Sequence, residues 1–400
     1  MNRDRTHFLL LNIGHFLDHL FTLVFATVAA LALSREWGAD YATLLAYATP
    51  GFFAFGLFSL PAGWLADRWS RDGMMVIFFI GIGFSAIVTG FATSPLQIGI
   101  GLFVIGIFAA IYHPVGLAIV TAKWRNTGMR IAVNGVFGNF GVGGAALIGG
   151  SLIDHSGWRS AFIIPGIFSV AIGIAYAALR WSELNANPAP KTTTEAAALS
   201  PTMKAILLRI SIIVFATTAL SSIIFQSTTF ALPKIFDERL QDLAHFLSTK
   251  DAATTIGGLA FAVFAVASMA QLIVGKLLDR LGPRPVFMTV AIIQIVFFAA
   301  MPGLRDSFAL AAALGFMLGA FGQIPINDYM IGKMATGPQR ASIFAIRYVV
   351  SFTTLAAALP LIALVHANWG FDSLFLILAA TAALTLAIVA TLPRQMPVVS

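Results

Sequence analysis

Runs of about twenty apolar residues, separated by short polar stretches, fill almost the whole chain, and that is the length a helix needs to cross a bilayer. The pattern predicts helices near 7–33, 41–66, 74–93, 96–122, 129–153 and 160–180, and a second set near 206–232, 253–275, 286–304, 307–331, 341–365 and 372–392. Twelve spans put both ends of the chain on one side. Two longer polar segments interrupt the rhythm: Trp181 to Lys204, with Pro188, Pro190 and Thr192 to Thr194, and a loop over 233–252. The first reads as a linker. The expectation is an all-α membrane protein of twelve transmembrane helices in two pseudo-symmetric six-helix bundles, 1–180 and 206–400, joined by a cytoplasmic linker at 181–205.

Composition agrees: 58% of the 400 residues are hydrophobic and only 10% are charged, too much apolar surface for a soluble domain to hide from water. The net charge of +7 does not point to nucleic acid, because the charges fall in short loops and not on one basic face. With both ends placed in the cytoplasm, 18 Lys and Arg lie inside and six outside, as the positive-inside rule requires. No cysteine is present, which removes disulfides, thiolate metal sites and cysteine nucleophiles together. The stretch Met1 to His7 is basic, but the apolar run after it is too long for a signal-peptide core, so it reads as an uncleaved first helix.

One charged hairpin occurs twice, 212 residues apart. The first copy is Gly63-Trp64-Leu65-Ala66-Asp67-Arg68-Trp69-Ser70-Arg71; the second is Gly275-Lys276-Leu277-Leu278-Asp279-Arg280-Leu281-Gly282, with Arg284 close behind. The same offset carries the fourth and fifth helices almost onto the tenth and eleventh. Gly157-Trp158-Arg159-Ser160-Ala161-Phe162 is echoed by Gly370-Phe371-Asp372-Ser373-Leu374-Phe375. Two halves of common ancestry account for all of these, and this is the layout of a two-fold transporter.

The paired loops resemble the signature of the major facilitator superfamily, Gly-x-x-x-Asp-Arg-x-Gly-Arg-Arg, between the second and third helices and again between the eighth and ninth. Gly14-His15-Phe16-Leu17-Asp18, Tyr112-His113-Pro114 and Gly138-Asn139-Phe140-Gly141 are similar to the fosmidomycin-resistance-like efflux branch. The resemblance covers essentially the whole chain. It implies alternating access, a central pathway lined by the first, fourth, seventh and tenth helices, and export in exchange for protons. Three departures stand against export: Val115 follows Pro114 where an acidic residue is expected nearby, the fourth helix carries no Arg, and the fifth has the antiporter glycines without their proline.

Asn12, His15, Asp18, His19 and Thr22 share one face of the first helix. An ionised Asp at bilayer depth costs roughly 2.5–3.5 kcal/mol on insertion scales, so such a stripe faces water or a partner. Asp18 beside two imidazoles can take up and release protons, and the proton-coupling set is Asp18, His15 and His19; the alternative is a static hydrogen-bond network. His113 precedes Pro114, whose missing N–H frees a carbonyl one turn earlier. The substrate set is Asn12, Tyr112, His113, Asn139, Gln226, Gln323 and Asn327, with Ser222 and Thr229 adding polarity beside Gln226. His15 and His19 have the i, i+4 spacing of a metal pair, but no third ligand is visible in sequence, so no metal is assigned.

Asp67, Arg68, Arg71, Asp279, Arg280 and Arg284 form the expected cytoplasmic gate, by bonds made in one conformation and broken in the other; the alternative is topology alone. Asp328 and Arg347 lie at similar depths on either side of the turn near Thr336 to Pro338, and read as a gating or structural ion pair. The glycines of the fifth helix read as packing positions. No Gly-Lys-Ser/Thr phosphate loop exists, which disfavours ATP-driven transport.

The reading is a proton-coupled secondary transporter of the bacterial inner membrane, acting as a monomer without cofactor. Its partners are protons, the lipid bilayer and a small amphipathic or anionic substrate or drug, which it exports. The alternative is proton-driven uptake of a metabolite such as an organic acid. A metal-ion transporter, a receptor and a membrane-embedded enzyme are the remaining readings.

Overall fold

The computed structural model describes residues 3–123, 127–184, 201–247, 252–334 and 339–393. Among these there is no strand, and helices account for nearly everything. Eleven helical runs are long and apolar enough to span a membrane: Arg3–Glu36, Tyr41–Arg68, Arg71–Thr89, Pro95–Val120, Val133–Ser156, Ser160–Leu179, Leu208–Arg239, Ala252–Leu278, Pro283–Ala300, Asp306–Asn327 and Val349–Ala390. The last run holds two helices, because Gly370 breaks it with φ 72°. Each of the twelve expected spans therefore has a helix. Large apolar side chains such as Phe84, Ile100, Ile174 and Phe308 are exposed, a surface suited to lipid.

The echoed hexapeptides have the same backbone cause. Gly157 and Gly370 both take positive φ, 78° and 72°, in the left-handed region that glycine enters without penalty. Each turns the chain between two spans. The fourth and tenth spans are also interrupted at corresponding positions, between Ala109 and Tyr112 and at Gln323. In both, a proline a few residues on, Pro114 or Pro325, lacks the N–H that would bond back across the gap. Discontinuous helices of this kind leave backbone groups available at mid-membrane depth.

The seventh helix differs from expectation. The apolar pattern predicts a loop over 233–252, yet the helix runs from Pro201 through Pro233 to Arg239, followed by Gln241–Leu247. Lys234 pairs with Asp237 at 2.9 Å and Glu238 at 3.5 Å, and these i, i+3 and i, i+4 contacts lie on one face of the extra turn. Polarity marked the end of the apolar run and not the end of the helix. The segment 185–200, most of the expected linker, lies outside the described residues.

By internal contacts the chain forms two compact units. One comprises residues 1–189, 230–265 and 359–363; the other comprises 190–229, 266–358 and 364–400. In the first, the fifth span lies against the first through glycines: a Cβ on Gly141 would sit 2.2 Å from the Phe16 carbonyl oxygen, and one on Gly144 would meet the Phe16 ring. Gly150 and Gly257 bring the fifth and eighth spans equally close, against the Ala253 and Ala146 carbonyls. In the second unit, Ile210, Val214, Val274, Leu278, Val286, Phe287, Ile326, Met330 and Val389 form one apolar core.

Candidate functional site

Three imidazoles and one carboxylate meet inside the first unit. His15 and His19 come from one face of the first span and His113 from the restart of the fourth, where the chain resumes as helix after its break. The ring centroids are 5.0 Å apart for His15 and His19, 5.2 Å for His15 and His113, and 5.5 Å for His19 and His113. Asp18 is fully buried, and its Oδ2 lies 3.4 Å from His113 Nε2. Neither Asp18 oxygen accepts a hydrogen bond among the described residues. Around this cluster lie Phe55, 6.0 Å from the His113 ring, and Gly138, which lets the His15 edge approach the fifth span.

The surrounding network orients His15. Its Nδ1–H donates to the Asn134 carbonyl at 2.7 Å, which leaves Nε2 as the lone-pair nitrogen, and that atom has no hydrogen-bond partner among the described residues. The Asn134 amide donates to Asn12 Oδ1 and to the Tyr112 hydroxyl, both at 2.9 Å, and Tyr112 donates onward to the Leu11 carbonyl at 2.7 Å. Tyr112 also stacks on His15 at 4.9 Å. Asn12 and Tyr112 are thus buried supports of the imidazole cluster in this conformation. Asn139, on the next residue after Gly138, is half-buried. Among the described residues Thr22 bonds its own helix, donating to the Asp18 and His19 carbonyls.

The second unit holds a different chemistry. Gln294 donates to Gln323 Oε1 at 3.0 Å, Gln323 donates to the Ser221 carbonyl at 2.9 Å, and Thr217 lies 3.4 Å from Asn327 Oδ1. Gln323 and Asn327 are buried, and Gln226 is half-buried beside Thr229. These groups are neutral amides and hydroxyls, able to bind or orient without changing charge. The side chains of Asp279, Asp328 and Arg347 lie outside the described residues.

At the signature end of the first unit, Arg71 pairs with Asp67 at 3.0 Å, and Arg68 lies over the Trp64 ring at 4.3 Å. Ser70 caps the third span by accepting from the Gly73 N–H. In the second copy Arg280 is exposed and Arg284 half-buried. Sequence reasoning missed the largest feature here. Where the family signature ends in a second Arg, this chain has Asp72, and Asp72 is the centre of a buried cluster. Arg180 donates to it twice, at 3.0 and 2.9 Å, and Tyr176 donates at 2.7 Å. Since the tyrosine proton goes to Asp72, His7 Nε2–H donates to the Tyr176 oxygen at 2.8 Å. The signal was the acidic residue at a basic position of the motif, with the unassigned Arg180 and His7 left over. Asn134 was likewise legible as a polar residue four before Gly138.

The sequence profile of the Major Facilitator Superfamily matches residues 11–249 and again residues 243–399. The chain is 27% identical to the 4-hydroxybenzoate transporter PcaK of Pseudomonas putida over 40% of its own length, and that match spans only 36% of the relative. It is 27% identical to the multidrug resistance protein MdtG of Enterobacter lignolyticus over 82% of this chain and 77% of that one. A crystal structure of the peptide transporter POT in complex with sulfate superposes with a TM-score of 0.74 over 96% of this chain and 94% of that one, at 14% identity, a likeness of fold. An integral membrane protein with its helices, its doubled Asp-Arg loops and a profile match across both halves is a transporter and not an enzyme, and this chain belongs to the Major Facilitator Superfamily.

Proposed function

We propose that the protein is a proton-coupled secondary transporter of the bacterial inner membrane, working by alternating access between halves 1–180 and 206–400 and exporting a small amphipathic or anionic compound. The observation that carries this reading is Asp18, a fully buried carboxylate whose oxygens accept no hydrogen bond among the described residues. A buried ionisable carboxylate at bilayer depth is expensive to keep ionised and marks an ion pathway by default. Asp18 is the negative charge that the coupling proton meets, and His15, His19 and His113 stand around it. The neutral amides of Gln226, Gln323 and Asn327 contact substrate. Asp67, Arg68, Arg71, Asp279, Arg280, Arg284, Asp328 and Arg347 belong to the gate on the cytoplasmic side, where both termini lie.

Export is favoured by MdtG, a relative named for multidrug resistance that aligns over most of the chain. The test uses everted vesicles and ethidium as an amphipathic probe. An inside-acid gradient is expected to drive accumulation, and collapse of the gradient or Asp18→Asn to abolish it. Accumulation that ignores the gradient would remove the coupling, and accumulation undiminished in Asp18→Asn would remove the site.

A second reading, uptake of an organic acid, is favoured by the relative named as a 4-hydroxybenzoate transporter. In right-side-out vesicles with an outside-acid gradient, uptake of 4-hydroxybenzoate above the level of empty vesicles would select it.

A further inference from the structure

The sequence offers two imidazoles at metal spacing and no third ligand. The fold supplies one. His15, His19 and His113 each present a nitrogen, and the three nitrogens all lie within 4.8 Å of one another. We infer that these residues, with Asp18 as fourth donor, form a binding site for one divalent late first-row transition-metal ion of the zinc or nickel type.

Four observations carry this. The first is convergence: two donors at i, i+4 on one helix and a third from a facing helix make a three-point set on two helical backbones. The second is the arrangement behind His15. A metal-binding imidazole commonly donates its other ring N–H to a backbone carbonyl or carboxylate, which fixes the tautomer and aims the lone pair. His15 does so through Nδ1–H to the Asn134 carbonyl, and its Nε2 is buried with no hydrogen-bond partner among the described residues. The third is Asp18, whose two oxygens accept no hydrogen bond among the described residues and whose Oδ2 is 3.4 Å from a ring nitrogen of His113. A dication at the centre of the rings would balance its charge. The fourth is close packing: a Cβ at position 138 would fall 2.6 Å from His15 Nε2, so glycine there lets the ring keep this position against the fifth span.

The donor set names the ion class. Three imidazoles and one carboxylate suit zinc, nickel, cobalt or copper, whereas magnesium and calcium require oxygen ligands almost throughout. Bonds of about 2.0–2.1 Å to zinc draw tetrahedral donors closer together than 4.8 Å. The closure needed is a side-chain movement, and His19 and His113 are the two rings with partial exposure that can make it. Binding here does not depend on the direction of transport or on protons as the coupling ion.

The test is titration calorimetry with zinc chloride at pH 7.5 on the full chain in detergent, after removal of any affinity tag. Cobalt(II) is used in parallel, because a tetrahedral nitrogen and oxygen site gives strong visible absorption. One ion per chain is expected. His19→Gln and His113→Gln should each weaken binding by more than the roughly 10–100-fold of an outer-shell change, and Asp18→Asn should weaken it and alter the cobalt spectrum. Elution volume and melting temperature without metal establish that each variant is folded, and a variant that fails is replaced by the corresponding Ala. Absence of binding to the unmodified chain, or affinity unchanged in folded His19 and His113 variants, overturns the site. Either result leaves the vesicle experiment untouched, so failure of the metal site and failure of the transport reading are distinguishable.

Discussion

Asp72 and Arg180 are joined by two hydrogen bonds, from Nε at 3.0 Å and from Nη2 at 2.9 Å, across the ends of the third and sixth spans. Both side chains are close to nine-tenths buried. Removing one member of such a pair strands the other charge, which costs roughly 3–5 kcal/mol. Asp72→Asn or Arg180→Gln should therefore lower the melting temperature in detergent by several degrees. The double variant should lose far less than the sum of the two, since neither charge is then unpaired. Additive losses would show that the pair is not coupled.

The glycines of the fifth span are not equivalent. At Gly141 a Cβ would lie 2.2 Å from a backbone oxygen of the first span, whereas at Gly135 it would meet nothing within 4 Å among the described residues. Gly141→Ala should destabilise by about 1–3 kcal/mol through overpacking. Gly135→Ala should stabilise by up to about 1 kcal/mol through helix propensity. Melting temperatures of the two variants, moving in opposite directions, check this; a similar fall in both would mean that backbone approach is not what position 141 requires.

Much of this molecule is written in its hydrophobic pattern, because a span in lipid must be apolar and helical over a fixed length. The repeat was legible from Asp67-Arg68 and Asp279-Arg280, and Gly157 and Gly370 keep it in the backbone. The polar stripe of the first helix was legible from the period alone. His113 joining His15 and His19 was not, since only packing of the first span against the fourth brings them together. The same holds for His7, Asp72, Tyr176 and Arg180, which come from three spans. Periodicity reports which face a residue occupies and is silent on what the face meets.

Asp40 precedes the second span and accepts from both the hydroxyl and the N–H of Thr43. These hydrogen bonds hold its carboxyl below its ordinary value, the side-chain bond from Thr43 first. A depressed value in the folded state means that the stabilisation is complete above the unfolded carboxylate range, near about 3.9, and is lost as pH falls through the lower folded value. Asp40→Ala should cost about 1 kcal/mol near neutral pH, as for other helix caps. That deficit should shrink in melts taken progressively below pH 4. A deficit independent of pH would mean that the charged form is not what caps the helix.

Arg35, at the end of the first span farthest from the signature loop, reaches Asp237 at 2.8 Å, and Lys234 holds the same carboxylate from the other side at 2.9 Å. Arg35 is 66% exposed, so as a stabilising pair this contact is worth no more than about 1 kcal/mol, and Arg35→Ala should barely move the melting temperature. Its consequence should appear in transport. If the first and seventh spans must separate at this end during each cycle, a covalent link here should stop turnover while the bare substitutions do not. The chain has no cysteine of its own, so Arg35→Cys with Asp237→Cys gives a unique thiol pair. A short bifunctional maleimide should then abolish gradient-driven flux in vesicles from the double variant and leave each single variant active. Full flux after complete cross-linking would mean that these two spans stay together at this end throughout the cycle.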